Sequence, residues 1–169
     1  MSKTLHLIRH AKSSWDDSNL ADIDRPLNKR GKRDCKLMGK PINDAGCDFS
    51  NIYCSPALRA RLTIQGLTRD IKNQNSECHI DPDLYTFDFQ DLFKWCQNLN
   101  NGQHSIVIVG HNPALTDLCH YLIDNSEIDN VPTCAYVQIS LSCLNWKDIS
   151  KGCGTLIAFI KPKHLLSKD

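Results

Sequence analysis

The chain has 169 residues, of which 41% are apolar and 23% are charged, and its formal net charge is +1 at pH 7. A chain of this length and composition typically folds as one globular domain, so we expect a single domain over residues 1–169. The nearly balanced charge argues against a nucleic-acid-binding surface. No apolar run reaches the roughly 18 residues that a membrane span needs.

The nine cysteines predict a reducing compartment rather than a disulfide framework. Their number is odd, and no two of them have the C-x-x-C spacing of a zinc or redox site. Met1–Thr4 leads directly into a strand-like run instead of a secretory leader. We therefore expect a cytoplasmic protein whose cysteines serve mainly as small core side chains.

The first quarter of the chain predicts one strand and one helix. Leu5–Ile8 is a short apolar run, which is typical of a buried strand. After a polar stretch, Asn28–Ala45 predicts a helix in which Asn28 is the N-cap and Gly46 marks the end. Pro41 should kink or shorten this helix because proline has no N–H to donate.

A second strand and helix are predicted next. Ile52–Cys54 is the strand, and Ser55-Pro56 predicts a helix start with Ser55 as N-cap and Pro56 at the first helical position. This helix should continue to about Ile71. The segment from His79 to Tyr85 is short and irregular, with room for a small strand.

The second half of the chain repeats the alternation of strand and helix. Phe89–Leu99 has the apolar spacing of an amphipathic helix, and Ser105–Val109 is an uninterrupted β-branched run typical of a central strand. Asn112-Pro113 predicts another helix start, with the helix running to about Ile123. Two final strands are expected at Val137–Leu141 and Thr155–Ile160. The alternation predicts an α/β fold with a mainly parallel sheet.

Polar motifs follow the three clearest strands directly. Arg9-His10 follows the first strand, Ser55–Arg59 the second, and Gly110–Pro113 the central one. Ligands of open α/β sheets bind outside the carboxyl ends of the strands. If these strands are parallel neighbours, two histidines and two arginines meet at one place.

This set of side chains suits a phosphoryl group. Arg9 and Arg59 would each present a planar fork of donors to phosphate oxygens. His10 would attack phosphorus through an unprotonated ring nitrogen, provided that its other nitrogen donates a hydrogen bond. His111, if cationic, would neutralise charge in the transition state.

Leu7–Ser13 (LIRHAKS) resembles the Arg-His signature of the histidine phosphatase superfamily, which also contains the phosphoglycerate mutases. Other segments resemble its small phosphohistidine-phosphatase branch, the SixA type, in order and rough spacing. These segments are Asp24–Gly31, Ser55–Ala60 and Gly110–Pro113. The resemblance is clear from about Leu5 to Leu122. It implies a three-layer α/β/α sandwich with a mainly parallel central sheet.

The resemblance also implies which residues act. The catalytic set carried over is Arg9, His10, Arg59 and His111, with no metal and no cofactor. Arg25 matches a basic position at the edge of the site, and Ser55 and Asn112 are positioned to contact substrate. Ser55 and Asn112 also have a simpler explanation as helix caps.

One departure from the wider superfamily bears on the substrate. Many members carry a glutamate general acid after the second helix, whereas the corresponding region here, Asp81–Asp88, has none. An imidazole can leave a P–N bond with little help, but an alkoxide needs a proton. The absence of glutamate therefore favours phosphohistidine, although Asp83 or Asp88 could still serve as an acid.

We therefore expect a phosphohistidine phosphatase that forms a covalent intermediate on His10. Its partner would be a phosphohistidine-bearing protein or a small phosphorylated substrate; the sequence sets no oligomeric state. Two alternatives stay open: a phosphatase for small phosphoesters, and an inactive module that binds phosphate. Sequence signatures of other phosphate chemistries are missing, including the cysteine-x5-arginine loop and the G-x-x-x-x-G-K-[ST] loop.

Overall fold

The computed structural model describes residues 2–72 and 76–166. Met1 of the predicted N-terminal segment and residues 73–75 and 167–169 of the predicted domain lie outside the described residues. In the part that is described, none of the helices is both long and apolar enough to cross a membrane.

Strands and helices alternate along the chain. The strands are β1 Lys3–Arg9, β2 Asn51–Cys54, β3 Glu77–Ile80, β4 Ser105–Gly110, β5 Tyr136–Leu141 and β6 Gly154–Ile160. The α-helices are α1 Lys29–Asp44, α2 Leu58–Thr68, α3 Phe89–Gln97, α4 Ala114–Leu122 and α5 Pro162–Leu166. Short 3-10 helices occupy Asp22–Asp24, Pro82–Leu84 and Trp146–Asp148. The five strands whose bounds the sequence predicted are present, and those bounds differ by at most two residues. The small strand expected near His79 to Tyr85 lies slightly earlier, at Glu77–Ile80.

The described strands form one six-stranded sheet in the order β3-β2-β4-β1-β5-β6. The pairs β2–β3, β2–β4 and β1–β4 are parallel, whereas β5 runs antiparallel to both β1 and β6. The prediction of a mainly parallel sheet is therefore confirmed. Strand β4 is central, as its β-branched sequence indicated, and five of its six residues are buried.

Helices cover both faces of the sheet, which makes the predicted three-layer α/β/α sandwich. On one face, α3 and α4 pack over a core that includes Leu7, Leu115 and Trp146. On the other face, α1 and α2 pack over a core that includes Ile8 and Met38. Because successive side chains of a strand point to opposite faces, neighbours such as Leu7 and Ile8 belong to different cores.

Most helix ends follow the predicted rules. The side chain of Asn28 accepts a hydrogen bond from the Gly31 N–H, so Asn28 is the N-cap of α1 as predicted. The predicted shortening at Pro41 is wrong, because the helix continues to Asp44. The carbonyl of Pro41 still accepts a hydrogen bond from the Ala45 N–H at 3.0 Å, which carries the helical pattern past the proline.

Two predicted helix starts are wrong, one by two residues and the other by one residue. Helix α2 begins at Leu58 and its N-cap is Ala57, while the Ser55 hydroxyl accepts from the Ala57 N–H in a turn that precedes the helix. Helix α4 begins at Ala114 and its N-cap is Pro113, so Asn112 is not the cap. In both places the serine or asparagine instead holds the turn between strand and helix.

The cysteines are mostly core side chains, as predicted. All nine are free, and six of them are buried. The buried ones are Cys35, Cys47, Cys54, Cys96, Cys119 and Cys134. Burial raises the pKa of Cys96 to about 12, so this thiol stays protonated and packs as a small apolar group.

The close approach of α1 to α2 yields a stability prediction. A Cβ at Gly39 of α1 would lie 2.2 Å from the backbone oxygen of Leu67 in α2. Gly39→Ala should therefore lower the free energy of unfolding by about 1–3 kcal/mol, because the two helices must separate. Urea denaturation measures the change.

Gly110→Ala in β4 is the control for adding a methyl group without a clash, since an added Cβ there would meet no atom closer than 3.9 Å. Helix propensity alone would make Gly39→Ala stabilising by up to about 1 kcal/mol. A gain in stability at Gly39 would therefore contradict the packing of α1 on α2 described above.

Candidate active site

The carboxyl ends of three adjacent strands bring the sequence-predicted residues together. In the order β2-β4-β1, Ser55 follows the first strand, His111 the second and His10 the third. Backbone hydrogen bonds extend the pairing past the strands: the His10 N–H donates to Gly110 at 3.1 Å, and the Ser55 N–H donates to Val109 at 3.0 Å. The histidine rings lie with their centroids 5.2 Å apart.

The tautomer of His10 is set by its own backbone surroundings. Its Nδ1 lies 2.8 Å from the carbonyl oxygen of Ala11. A carbonyl can only accept, so Nδ1 carries the proton and donates it. Nε2 therefore keeps its lone pair, which is the state that a nucleophilic histidine needs.

Burial and neighbouring cations keep His10 neutral. Burial is the main cause that lowers the pKa of His10 to about 4, and the positive charges of Arg59, Arg9 and Arg25 lower it further. The hydrogen bond to the Ala11 carbonyl acts in the opposite direction but is outweighed. At neutral pH the lone pair on Nε2 is thus available.

His111 is also neutral in the unliganded site. Burial, His10 and Arg59 lower the pKa of His111 to about 3. Its Nδ1 faces the Arg59 guanidinium at 3.4 Å and its Nε2 lies 2.7 Å from the Ser55 hydroxyl. Because an arginine can only donate, Nδ1 accepts and the proton is on Nε2. The condition set in the sequence analysis, a cationic His111, does not hold before an anion binds.

Arg59 is almost fully buried beside the two histidines, with 2% exposure. It lies in the first turn of α2, as predicted from its distance to the strand end. Its Nη1 donates to the backbone oxygen of Asp22 at 2.7 Å and its Nη2 to the carboxylate of Asp22 at 3.0 Å. Its Nε is buried without a hydrogen-bond partner in the described structure.

Arg9 supplies a second guanidinium whose Nε is buried without a hydrogen-bond partner in the described structure. Its Nη1 donates to the carbonyl of Val131 at 3.1 Å, which fixes the side chain. Leaving a donor on a charged group unpaired inside a protein is costly, so two such groups around one histidine indicate a place for an anion.

Asp22 is a site residue that the sequence analysis missed. It lies on the 3-10 helix Asp22–Asp24, and its carboxylate accepts from Arg59, Arg25 and the hydroxyl of Tyr85. Burial would raise the pKa of Asp22, but the hydrogen bonds from Tyr85 and Arg59 outweigh it and lower the pKa to about 2. No motif signals this contact, because Asp22, Arg59 and Tyr85 are far apart in sequence.

Arg25 lies at the edge of the cluster, where the sequence analysis placed it. Its Nη1 donates to the Ser13 hydroxyl at 2.6 Å, and its Nε and Nη2 contact Asp22 at 3.2 and 3.1 Å. The guanidinium also stacks on the ring of Trp15 at 3.6 Å, although Trp15 is 71% exposed. Trp15 thereby presents an aromatic face to solvent beside the site.

Ser55 and Asn112 occupy different positions relative to the cluster. Ser55 is buried and contacts His111, so it belongs to the site. Asn112 donates to Asn130 and Val131 and accepts twice from Thr116. These contacts fill its hydrogen-bonding capacity with scaffold groups, which leaves it no donor or acceptor for a ligand.

Neither aspartate that the sequence left as a possible acid contacts the cluster in the described structure. Asp88 is exposed and accepts from the Gln90 N–H as the N-cap of α3. Asp83 is exposed on the 3-10 helix that precedes Tyr85. Among the described residues, the carboxylate bonded to Arg59 is Asp22. No described group of three or more His, Cys, Asp or Glu residues could hold a metal ion.

A family model and several sequence relatives match the chain. The model of the histidine phosphatase superfamily (branch 1) matches residues 5–95, which is more than half of the chain. An uncharacterized protein of Mycobacterium tuberculosis is 27% identical over 92% of this chain and 100% of its own. An uncharacterized chloroplastic protein of Arabidopsis thaliana is 34% identical over 54% of this chain, and the chain spans 42% of its length.

Other similarities point to enzymes. The 2,3-bisphosphoglycerate-dependent phosphoglycerate mutase of Brucella ovis is 33% identical over 54% of this chain and 46% of its own. The structure of the protein histidine phosphatase SixA complexed with tungstate has a TM-score of 0.78 at 22% identity, covering 96% of this chain and 99% of that one. Phosphoserine phosphatase from Entamoeba histolytica has a TM-score of 0.62 at 19% identity, covering 96% and 99%. At these identities the two structures show the shared fold.

The buried state of His10 yields a pH prediction. The pKa of His10 is about 4 in the folded protein, mainly through burial, and about 6.5 in an unfolded chain. Protonation of His10 therefore favours unfolding, so the contribution of this residue to stability is fully present above about pH 6.5 and is lost as the pH falls towards about 4. Between about pH 7.5 and about pH 5, His10→Asn should lose about 1–2 kcal/mol less stability than the unsubstituted protein.

Urea titrations at the two pH values measure this difference. His79→Asn, at an exposed position outside the cluster, is the control for the substitution itself. An identical loss of stability in His10→Asn and the unsubstituted protein would mean that the ring of His10 is not held neutral.

Proposed function

The chain belongs to the histidine phosphatase superfamily and is a phosphatase with a histidine nucleophile, and we propose that it hydrolyses phosphohistidine through a covalent intermediate on His10. The observation that carries the proposal is a neutral His10 with Nε2 unprotonated, placed beside Arg9 and Arg59. Each of these two arginines has a buried Nε–H that has no partner among the described residues. This arrangement combines a nucleophile with an anion site.

The first step transfers the phosphoryl group to the enzyme. The lone pair on Nε2 of His10 attacks phosphorus, and the bond between phosphorus and the substrate imidazole nitrogen breaks. The electron pair of that bond returns to the substrate ring, whose other nitrogen takes up a proton from solvent, so that a neutral imidazole leaves. Nδ1 of His10 keeps its proton and its hydrogen bond to the Ala11 carbonyl. This hydrogen bond stabilises the positive charge that develops on the ring.

The second step returns His10 to its starting state. A water molecule attacks the phosphorus of the phosphorylated His10, and the bond from phosphorus to Nε2 breaks. The water loses a proton to solvent, and inorganic phosphate leaves. The ring of His10 is again neutral, with its lone pair on Nε2.

The positive groups act on the transferred phosphoryl group in both steps. The Nε–H groups of Arg9 and Arg59 would donate hydrogen bonds to the phosphoryl oxygens. The Nε2–H of His111 donates to the Ser55 hydroxyl, which fixes the position of that ring. A bound dianion would also raise the pKa of His111, so that this ring can become cationic only when substrate is present. Charge stabilisation of this kind is the main catalytic contribution in phosphoryl transfer.

The choice of phosphohistidine as the substrate rests on the lack of a general acid among the described residues of the cluster. Asp22 has a pKa of about 2, so at neutral pH it cannot give a proton to a leaving alkoxide. A leaving imidazole makes no such demand. The similarity in fold to the protein histidine phosphatase SixA supports the same choice. We propose that the substrate is a phosphohistidine-bearing protein in the cytoplasm, and that the reaction needs no metal or cofactor.

Phosphate release tests this proposal directly. The protein should release phosphate from a phosphohistidine-bearing protein much faster than from phosphoserine, 3-phosphoglycerate or sugar phosphates. His10→Ala should abolish turnover, because no other described group supplies the nucleophile, yet should still bind tungstate, because both arginines remain. His79→Ala, which removes an exposed histidine, should leave both properties unchanged.

The outcomes separate the alternatives that the sequence left open. Turnover by His10→Ala would falsify the assignment of the nucleophile. Release mainly from phosphoesters would establish the small-molecule phosphatase instead. Binding of tungstate without release from any substrate would establish a phosphate-binding module.

Arg59→Ala should weaken the binding of tungstate. A hydrogen bond from a charged donor contributes roughly 1.5–3 kcal/mol, so Kd should rise about 10- to 100-fold. Isothermal titration calorimetry measures this, with Arg61→Ala as the matched control because Arg61 lies on the same helix and is exposed. Equal affinity in Arg59→Ala and Arg61→Ala would remove Arg59 from the anion site.

A further inference from the structure

Asp22 places a negative charge inside a cluster built for an anion. Its Oδ2 accepts from Nη2 of Arg59 at 3.0 Å and from the Tyr85 hydroxyl, and its Oδ1 accepts from Nε of Arg25 at 3.2 Å. The carboxylate therefore bridges Arg59 and Arg25, two of the cations of the cluster. A carboxylate in an anion-binding cluster would weaken anion binding, so we look for a function of its negative charge.

The bridge leaves the inner donors of the cluster available. Asp22 uses Nη1 and Nη2 of Arg59, whereas the buried Nε atoms of Arg59 and Arg9 remain unpartnered in the described structure. Because Asp22 does not use these two donors, a phosphoryl group that they bind need not displace the carboxylate. Asp22 would remain in place while substrate is bound.

The charges of the cluster match one phosphoryl group. Arg9, Arg25 and Arg59 are cationic and Asp22 is anionic, so the cluster has a formal charge of about +2 while both histidines are neutral. A phosphoryl group carries about −1.5 to −2 at neutral pH. Without Asp22 the cluster would carry an excess positive charge that a second anionic group could use.

We expect the carrier of the phosphoryl group to approach from the solvent side of the cluster, where Asp22 lies. The side chain of Asp22 is 44% exposed, whereas that of Arg59 is 2% exposed, so the carboxylate is on the solvent side of the cluster. Three separate hydrogen-bond donors hold it there. A second negative group on a small substrate would meet this fixed carboxylate, and like charges at such short range repel.

We propose that Asp22 is a specificity-determining residue that admits a phosphoryl group on an uncharged carrier and rejects small substrates with a second anionic group. The inference rests on the proposed function and deepens it. The imidazole of a phosphohistidine side chain is an uncharged carrier, whereas phosphoglycerates, bisphosphates and pyrophosphate bring a further charge within a few bonds of phosphorus. Repulsion of this kind makes the protein specific by weakening the binding of the wrong ligand, and it does not strengthen the binding of the right one.

The test compares two inorganic anions that differ in their second charged group. Phosphate and pyrophosphate are titrated into the protein by isothermal titration calorimetry at fixed pH and ionic strength. In Asp22→Asn, the affinity for pyrophosphate should rise about tenfold more than the affinity for phosphate. The ratio of the two dissociation constants is the readout, because a loss of structure would weaken both anions alike.

Two further variants make the result specific. Asp24→Asn removes the same charge from the same 3-10 helix and should leave the ratio unchanged. Asp22→Glu keeps the charge and should restore the ratio of the unsubstituted protein. A change of similar size for both anions in Asp22→Asn would overturn the inference and reduce Asp22 to a support for Arg59.

The same titrations separate this inference from the proposed function. If the unsubstituted protein binds neither anion, the phosphate site itself is wrong and the role of Asp22 falls with it. If phosphate binds and the ratio is the same in Asp22→Asn as in the unsubstituted protein, only the role of Asp22 is overturned.

Discussion

The parallel pairing of β2, β4 and β1 is the constraint on which the candidate site depends. The carboxyl ends of these strands meet at one edge of the sheet, and a polar residue follows each strand without a spacer: Ser55, His111 and His10. The apolar residues that bury the strands fix their register, since a shift by one residue would turn every side chain to the opposite face. The packing of the core therefore also places the histidines.

Burial gives the cluster its chemical state. It lowers the pKa of His10 and His111, so both rings are neutral although they lie beside arginines. It also leaves the Nε groups of Arg9 and Arg59 unpartnered in the described structure. These groups cost stability in the unliganded protein, and a bound anion would offset that cost. The protein thus holds its donors ready for an anion.

Long-range contacts explain why sequence reasoning missed Asp22. Asp83 and Asp88, the two possible acids in the sequence after the second helix, lie close to Tyr85 in the same segment. That segment does reach the site, but through the Tyr85 hydroxyl, and the carboxylate that it contacts comes from the loop after β1. Nothing in either segment indicates that these two loops meet over Arg59, because the contact depends on how both helical layers pack.

The sequence by itself determined the main strands, their alternation with helices and the position of Arg9, His10, Arg59 and His111 at or just after strand ends, because apolar period and strand-end position are local properties of the chain. The tertiary structure decided which strands are neighbours, and hence that these four residues meet. Only the tertiary structure decided the helix starts after Ser55 and Asn112, the neutral state of His111 and the presence of Asp22. A cap, a pKa and an ion pair each depend on what other segments bring within a few ångströms. The residues next to these positions in the sequence do not indicate which distant segments will lie beside them.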